Sequence, residues 1–339
     1  MKNKKNRRKL NSNPRKLREF KITINFLCFF ILFSNALFQL DFPAGKTYHE
    51  LIREGGELYD QIQFEFIDLW DNFSLNTKKL LYPKDIEVDR SGYLYVSDKR
   101  NKIIYKFKPN EKSVENWISD FQVDEKSIYP HGIVIDNSNN VYVCDSINHR
   151  IIKFNSDRNV IGSWDLVGME DGQLNTPMGI AIDDLNHLYV CDSKNHRIIK
   201  LDSAGNFIGK WGSYGREENH LNLPLGIVID NNRYVFVSDS GNRRIKKFTS
   251  YGALVAEFGD NLKEPAGLAV DNEGYLYVTD EGNHKVFIFT SNGSLVSMHG
   301  SKGNGNGQFV RPHGIAIDNL GYAYIADMGN HRIQRFKIK

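Results

Sequence analysis

The chain has 339 residues, with 44 Lys or Arg against 41 Asp or Glu and a formal net charge of +3. The excess is local: residues 1–21 hold ten of the cations against Glu19 alone, so residues 22–339 keep 34 basic and 40 acidic residues, a net of −6. A net acidic body argues against a nucleic-acid-binding surface, and three scattered cysteines exclude a zinc domain built on paired Cys and His ligands.

In chain order, the basic tail over 1–21 is followed by an apolar segment over 22–40, unbroken from Phe26 to Phe33. A basic front, a short apolar core and the small residues Ser34 and Ala36 fit a signal peptide cleaved after Ala36. The length is also close to the ~20 residues that span a bilayer, and with the charge bias it fits an uncleaved signal-anchor. Either alternative delivers the rest of the chain to the lumenal or extracellular side, as a secreted protein or as a single-pass type II membrane protein. Two sequons, at Asn72 and Asn292, are glycosylation candidates that agree with this placement. Residues 41–62 read as a linker, where Thr47 and Glu50 make a capping box for a short helix over 47–57.

From residue 63 onward one unit recurs. Its opening proline falls at Pro83, Pro130, Pro177, Pro224, Pro265 and Pro312, in steps of 47, 47, 47, 41 and 47 residues. In the third copy, apolar runs over 179–182, 188–190, 197–201 and 207–211 are separated by turn residues and predict four antiparallel strands without a helical period. Six such units predict an all-β, six-bladed β-propeller over 63–339, because each sheet can bury its faces only against its neighbours. The sixth copy ends at Lys339 without a fourth strand. Trp70 stands 13 residues before Pro83, as Trp117, Trp164 and Trp211 stand before Pro130, Pro177 and Pro224. Gln63 to Trp70 is therefore expected to complete the last blade and leave no open sheet edge.

Residues present in every copy read as structural. Asp89, Asp136, Asp183, Asp230, Asp271 and Asp318 follow the first strand, and Asp98, Asp145, Asp192, Asp239, Asp280 and Asp327 follow the second. Both sets suit turn-forming carboxylates. His149, His196, His284 and His331 sit in the turn after the second set, on different blades and too far apart to share a metal. The arginines Arg150, Arg197, Arg243, Arg244 and Arg332 each have aspartates nearby in sequence. Cys144 and Cys191 hold equivalent positions on neighbouring sheets about 10 Å apart, beyond the ~7 Å Cα limit of a disulfide, so two buried free thiols are expected. The run Gly300 to Gly307 lacks a following helix and reads as a flexible inter-blade loop.

Asymmetry carries the functional signal. The residue after each opening proline lies at the mouth of the central channel: Lys84, His131, Met178, Leu225, Ala266 and His313. Other unrepeated residues on the same loop face are Lys99, Arg100 and Lys102, and the loops 165–175 and 214–222, which include Tyr214.

The pattern Pro-x-Gly-Ile-x-Ile-Asp followed by Tyr-Val-x-Asp-x-x-Asn-His-Arg-Ile resembles the NHL repeat. Asn148-His149-Arg150, Asn195-His196-Arg197 and Asn330-His331-Arg332 fit it fully, while Asn101-Lys102-Ile103, Asn242-Arg243-Arg244 and Asn283-His284-Lys285 drift. The resemblance spans about 63–339 and implies a six-bladed propeller without implying one function. The leading reading is a non-catalytic module, with no cofactor, that binds a protein, peptide or glycan on its loop face. A second reading rests on a weaker resemblance of Pro-His-Gly to the zinc histidines of peptidyl-hydroxyglycine lyases. It implies a zinc- or calcium-dependent lyase or hydrolase with His131 and His313 as metal ligands, although Leu225 stands where the third ligand would fall. A third, RNA or substrate binding as in tripartite-motif and ubiquitin-ligase relatives, conflicts with the acidic charge and the missing Cys/His clusters.

Overall fold

The computed structural model describes residues 62–71, 79–108, 113–119, 122–165 and 167–339. The basic tail, the apolar segment, the expected helix over 47–57 and the sequon at Asn72 lie outside the described residues. Six four-stranded antiparallel sheets follow one another around a central channel, with the opening proline of each repeat at the first residue of the innermost strand. Proline is tolerated there because a strand's first residue need not donate to the ladder. Blade three runs Pro177–Ile182, Leu188–Asp192, Arg197–Leu201 and Phe207–Trp211, so the third and fourth predicted strands are matched residue for residue.

Burial along each blade explains its composition. The second strand, Leu188–Asp192 in blade three, is buried at all five positions because both of its faces meet neighbouring sheets. The outermost strand alternates between half-buried and exposed residues, as a solvent-facing edge should. The core accordingly breaks into clusters between consecutive blades. Tyr142 and Cys144 of blade two pack with Ile180, Leu188 and Val190 of blade three, and Ala316, Tyr324 and Ala326 of blade six meet Ile86 and Val96 of blade one.

The ring closes as the spacing predicts. Phe64–Trp70 pairs antiparallel with Arg332–Ile338, in the register Phe66↔Phe336 and Trp70↔Ile333, and Gln63 and Lys339 exchange backbone hydrogen bonds of 3.0 Å. Trp70 is buried against Phe107 and Tyr324, so the clasp also seals the seam between blades six and one.

The repeated carboxylates are structural in all six blades. The first set accepts backbone N–H groups two and four residues downstream, as Asp183 does from Leu185 and His187 at 3.0 and 2.8 Å. In the second set, Asp192 accepts Asn195 Nδ2 at 2.8 Å, Arg197 Nε at 2.7 Å and the Asn175 amide at 2.6 Å from the loop entering the blade. Arg197 then donates to the carbonyls of Met169, Glu170 and Gln173 in that same loop. Equivalent Asp–Arg pairs form at Asp145–Arg150, Asp239–Arg244 and Asp327–Arg332. The last corrects the expectation of flexibility at 300–307: Arg332 binds the carbonyls of Asn304, Gly305 and Gln308, and Gln334 accepts the Gly307 amide. Arg243 departs from its row, since it takes a left-handed turn position (φ 62°), is exposed, and has no carboxylate in ion-pair reach among the described residues.

The repeated histidines join blades. His149, His196 and His284 adopt φ between 55° and 57° and accept, through Nδ1, the backbone amides of Thr176, Leu223 and Arg311 just before the next blade's proline. Cys144 and Cys191 are buried free thiols, as expected.

Asp192→Ala removes the acceptor of a buried arginine and of two further donors. It should cost ~3–5 kcal/mol in urea unfolding, whereas Asp202→Ala, in an exposed turn of the same blade, should stay within about 1 kcal/mol. Equal losses would contradict the assignment of Asp192 as a hub.

Candidate functional site

Near the channel axis the innermost strands approach backbone to backbone. A Cβ at Gly132, Gly179, Gly226 or Gly267 would run into the carbonyl oxygen of Met178, Leu225, Ala266 or His313 on the next blade, and at Gly314 into Lys84 O and Asp85 Cα. Those glycines are the third residue of Pro-x-Gly, and they tighten the ring at five seams. At the sixth, between blades one and two, the corresponding residue is Asp85. There the carboxylate reaches across instead: Oδ2 accepts the Ile133 amide at 3.0 Å and Oδ1 the Ile86 amide at 3.0 Å.

The channel is a cavity of about 210 Å³ lined by His131, His313, Leu225, Ala266, the innermost aliphatic side chains, and two carboxylates on blade one, Asp85 and Glu87. Where Glu87 stands the other blades place Val134, Ala181, Val228, Ala269 and Ala316. Burial raises Asp85 to about 7 despite its two amide donors, and burial together with the neighbouring Asp85 charge raises Glu87 to about 8.

At the mouth the structure brings His131 and His313 together, their ring centroids 5.1 Å apart. Both are buried, at 3 and 4 % exposure. Hydroxyls on the preceding blades anchor their backbones: Ser97 Oγ donates to His131 O at 2.6 Å, and Thr279 Oγ1 to His313 O. These hydroxyls stand at the second-strand position that Cys144 and Cys191 hold in blades two and three. Desolvation, then the positive charges of Lys84 and Lys99, drive His131 well below the usual imidazole range. Desolvation and Lys84 do the same to His313, so both rings are neutral at pH 7.

A cationic rim surrounds the pair. Lys84 lies 5.0 Å from the Tyr82 ring centroid, and burial lowers it to about 8, with Glu281 opposing the shift and Lys99 and Arg311 adding repulsion. Burial also lowers Lys99, opposed by Asp145 and helped by Lys194 nearby. Lys102 lies over Tyr129 at 4.6 Å. One carboxylate enters the rim, Glu281, which is buried. Its Oε2 takes Nε and Nη2 of Arg311 at 2.9 and 2.5 Å, and its Oε1 stands 3.5 Å from His313 Nε2, an atom with no hydrogen-bond partner. Met178, Leu225 and Ala266 make the opposite side of the mouth apolar.

The other candidates lie away from the mouth. Arg100 is exposed on the turn of blade one. Tyr214 is 70 % exposed on the loop between blades three and four, edge-on to His196 at 4.8 Å. Asn292 is exposed in the turn over 291–293, as a glycosylation acceptor requires. Sequence reading overlooked Asp85, Glu87, Glu281 and Arg311. The signal for the first was present, since Pro83-Lys84-Asp85 breaks the Pro-x-Gly that the other five copies share.

The metal reading can be tested on this geometry. The two imidazoles meet, but Leu225 occupies the third blade position, and among the described residues no group of three His, Cys, Asp or Glu side chains is placed to hold an ion. The donor set does not fit a three-ligand zinc or calcium centre.

Comparison with known proteins agrees with the architecture. A family model described as NHL repeat matches residues 128–154 and 174–201, and one described as a 6-bladed beta-propeller matches 260–339. The chain thus carries NHL repeats and folds as a six-bladed β-propeller. No curated protein matches its sequence. Among solved structures it is similar to a streptogramin B lyase, at 15 % identity over 80 % of this chain and 98 % of that one, TM-score 0.60. It is also similar to a virginiamycin B lyase from Staphylococcus aureus determined with quinupristin (16 % identity, 78 and 83 % coverage, TM-score 0.59) and to a gluconolactonase from Xanthomonas campestris (14 %, 83 and 96 %, 0.62). At these identities the likeness is one of fold.

The raised carboxylates have a stability consequence. Folded Asp85 and Glu87 keep their protons to higher pH than in the unfolded chain, so the native state binds more protons between about pH 4 and about pH 8, and stability falls as pH rises through that window. Glu87→Gln should therefore be more stable than the parent at pH 9 by ~1 kcal/mol or more, about 2 °C in Tm, with the gap closing by pH 5. A pH-independent gap in scanning calorimetry would count against this placement of Glu87.

Proposed function

We propose that the protein is a binding propeller, delivered to the lumenal or extracellular side, whose loop face takes a peptide, protein or glycan ligand and holds an anionic group of that ligand at the channel mouth. One observation carries this reading: Lys84, Lys99 and Arg311 converge around two neutral imidazoles, in a chain whose residues 22–339 are net acidic. Several cations elsewhere are spent on structure, as in the Asp–Arg hubs, or lie over aromatic rings, as Lys153 does over Tyr142 and Lys247 over Tyr234. At the mouth, Glu281 pairs with Arg311, while Asp145 acts on Lys99 and Glu264 on Arg311 from farther off, so the three cations are offset only in part. The half-buried setting strengthens each charge relative to open solvent, and a fixed positive mouth on an acidic body steers an anion to one place. The apolar side, Met178, Leu225 and Ala266, suits an aliphatic portion beside the anion.

A screen of arrayed peptides and glycans with the purified full-length protein should return acidic ligands. Binding of those ligands should weaken at least about tenfold in a Lys84→Gln, Lys99→Gln double variant, or ~1.4 kcal/mol. Hits that bind the double variant equally well would place the ligand elsewhere and rule out the mouth as its site.

A further inference from the structure

Lys84 differs from every other lysine of the rim in what surrounds it. It sits on the innermost strand one residue after Pro83, half-buried at the mouth, within electrostatic reach of Glu281, Lys99 and Arg311 and of both imidazoles. The nearest carboxylate, Glu281, opposes the lowering of Lys84 only in part, being already bonded by Arg311 through two nitrogens, and Lys84 forms no ion pair among the described residues. An amine confined among cations with its counter-ion engaged elsewhere loses its proton readily and becomes a nucleophile. Beside it stand two neutral imidazoles able to take and return a proton, one of them with a buried, unpartnered Nε2.

We propose that Lys84 is a carbonyl-capturing amine, forming a reversible imine with small aldehydes or ketones that carry a neighbouring carboxylate, 2-oxo acids being the simplest class. The lone pair of neutral Nζ attacks the carbonyl carbon, and a C–N bond forms as the carbonyl oxygen takes up a proton. Neutral imidazole relays a proton from nitrogen to that hydroxyl, the C–O bond breaks, and one water leaves the imine. No oxidant or reductant is consumed. Lys99 and Nη1 of Arg311, the nitrogen not bonded to Glu281, receive the carboxylate, and Met178, Leu225 and Ala266 receive the substituent on the other side. The carboxylate preference rests on the anion-binding reading above; the reactivity of the amine does not.

The test uses the purified full-length protein at pH 7.5 with glyoxylate or propanal, each with sodium cyanoborohydride to trap the imine as a secondary amine, followed by peptide mass mapping over time. Lys84 should be modified at least about tenfold faster than the exposed Lys302, with a pH midpoint near 8, and faster with glyoxylate than with propanal. Equal preference for the two probes with Lys84 still leading would uphold the reactive amine and contradict the anion site. Labelling of Lys84 no faster than Lys302 with either probe would overturn the proposal.

Discussion

The architecture depends on one carboxylate per blade, the aspartate that ends the second strand. Asp98, Asp145, Asp192, Asp239, Asp280 and Asp327 are fully buried, and each accepts an Asn side chain from its own turn and a backbone amide from the loop that enters the blade. An irregular loop running into a buried strand leaves polar groups that must find partners, and these hubs supply them, with arginines completing four of the six. Because the hubs all sit at the same strand ends, one face of the ring carries fixed loops whose side chains are free to vary.

Variation matters most where the ring is tightest. Five glycines bring the innermost backbones to carbonyl contact, and that uniformity makes the exception at Asp85 consequential. Blade one opens the channel wall to a carboxylate and adds a second at Glu87, while its turn contributes Lys99 and its first strand Lys84. Blades five and six add Glu281, Arg311 and His313 from across the mouth. The polar cluster is thus drawn from blades six, one and two and the turn of blade five, facing the apolar Met178, Leu225 and Ala266 on the first strands of blades three to five. Sixfold architecture supplies the frame, and departures from the repeat supply the chemistry.

Much of the fold was legible because repetition averages out local ambiguity. Six prolines at near-constant spacing fixed the blade count, and a tryptophan 13 residues before Pro83 pointed to a closing strand over Gln63 to Trp70, observed as Phe64–Trp70. Counting what recurs among the copies also set His149, His196, His284 and His331 apart from the two histidines of the channel mouth, although the bonds of the first three to the following blade's amides could not be foreseen. The site was legible only in part. His131, His313 and Lys84 follow from position within the repeat, but the partnership of Glu281 with Arg311 joins residues 30 apart across a blade seam, and no local pattern announces it. Lysines stacked on second-strand tyrosines, such as Lys106 on Tyr95 and Lys200 on Tyr189, were missed for the same reason: a strand pair must be in register before the two side chains are neighbours.

The central claim is that the mouth holds two neutral, desolvated imidazoles inside a cationic rim, ready for an anion. Nitrogen-15 NMR of the histidine side chains, followed from pH 5 to pH 8, tests it most directly. The account predicts that His131 and His313 stay neutral across the range and shift when a carboxylate ligand is added at fixed pH. Titration of both rings with midpoints near 6.5, unmoved by any carboxylate, would contradict it.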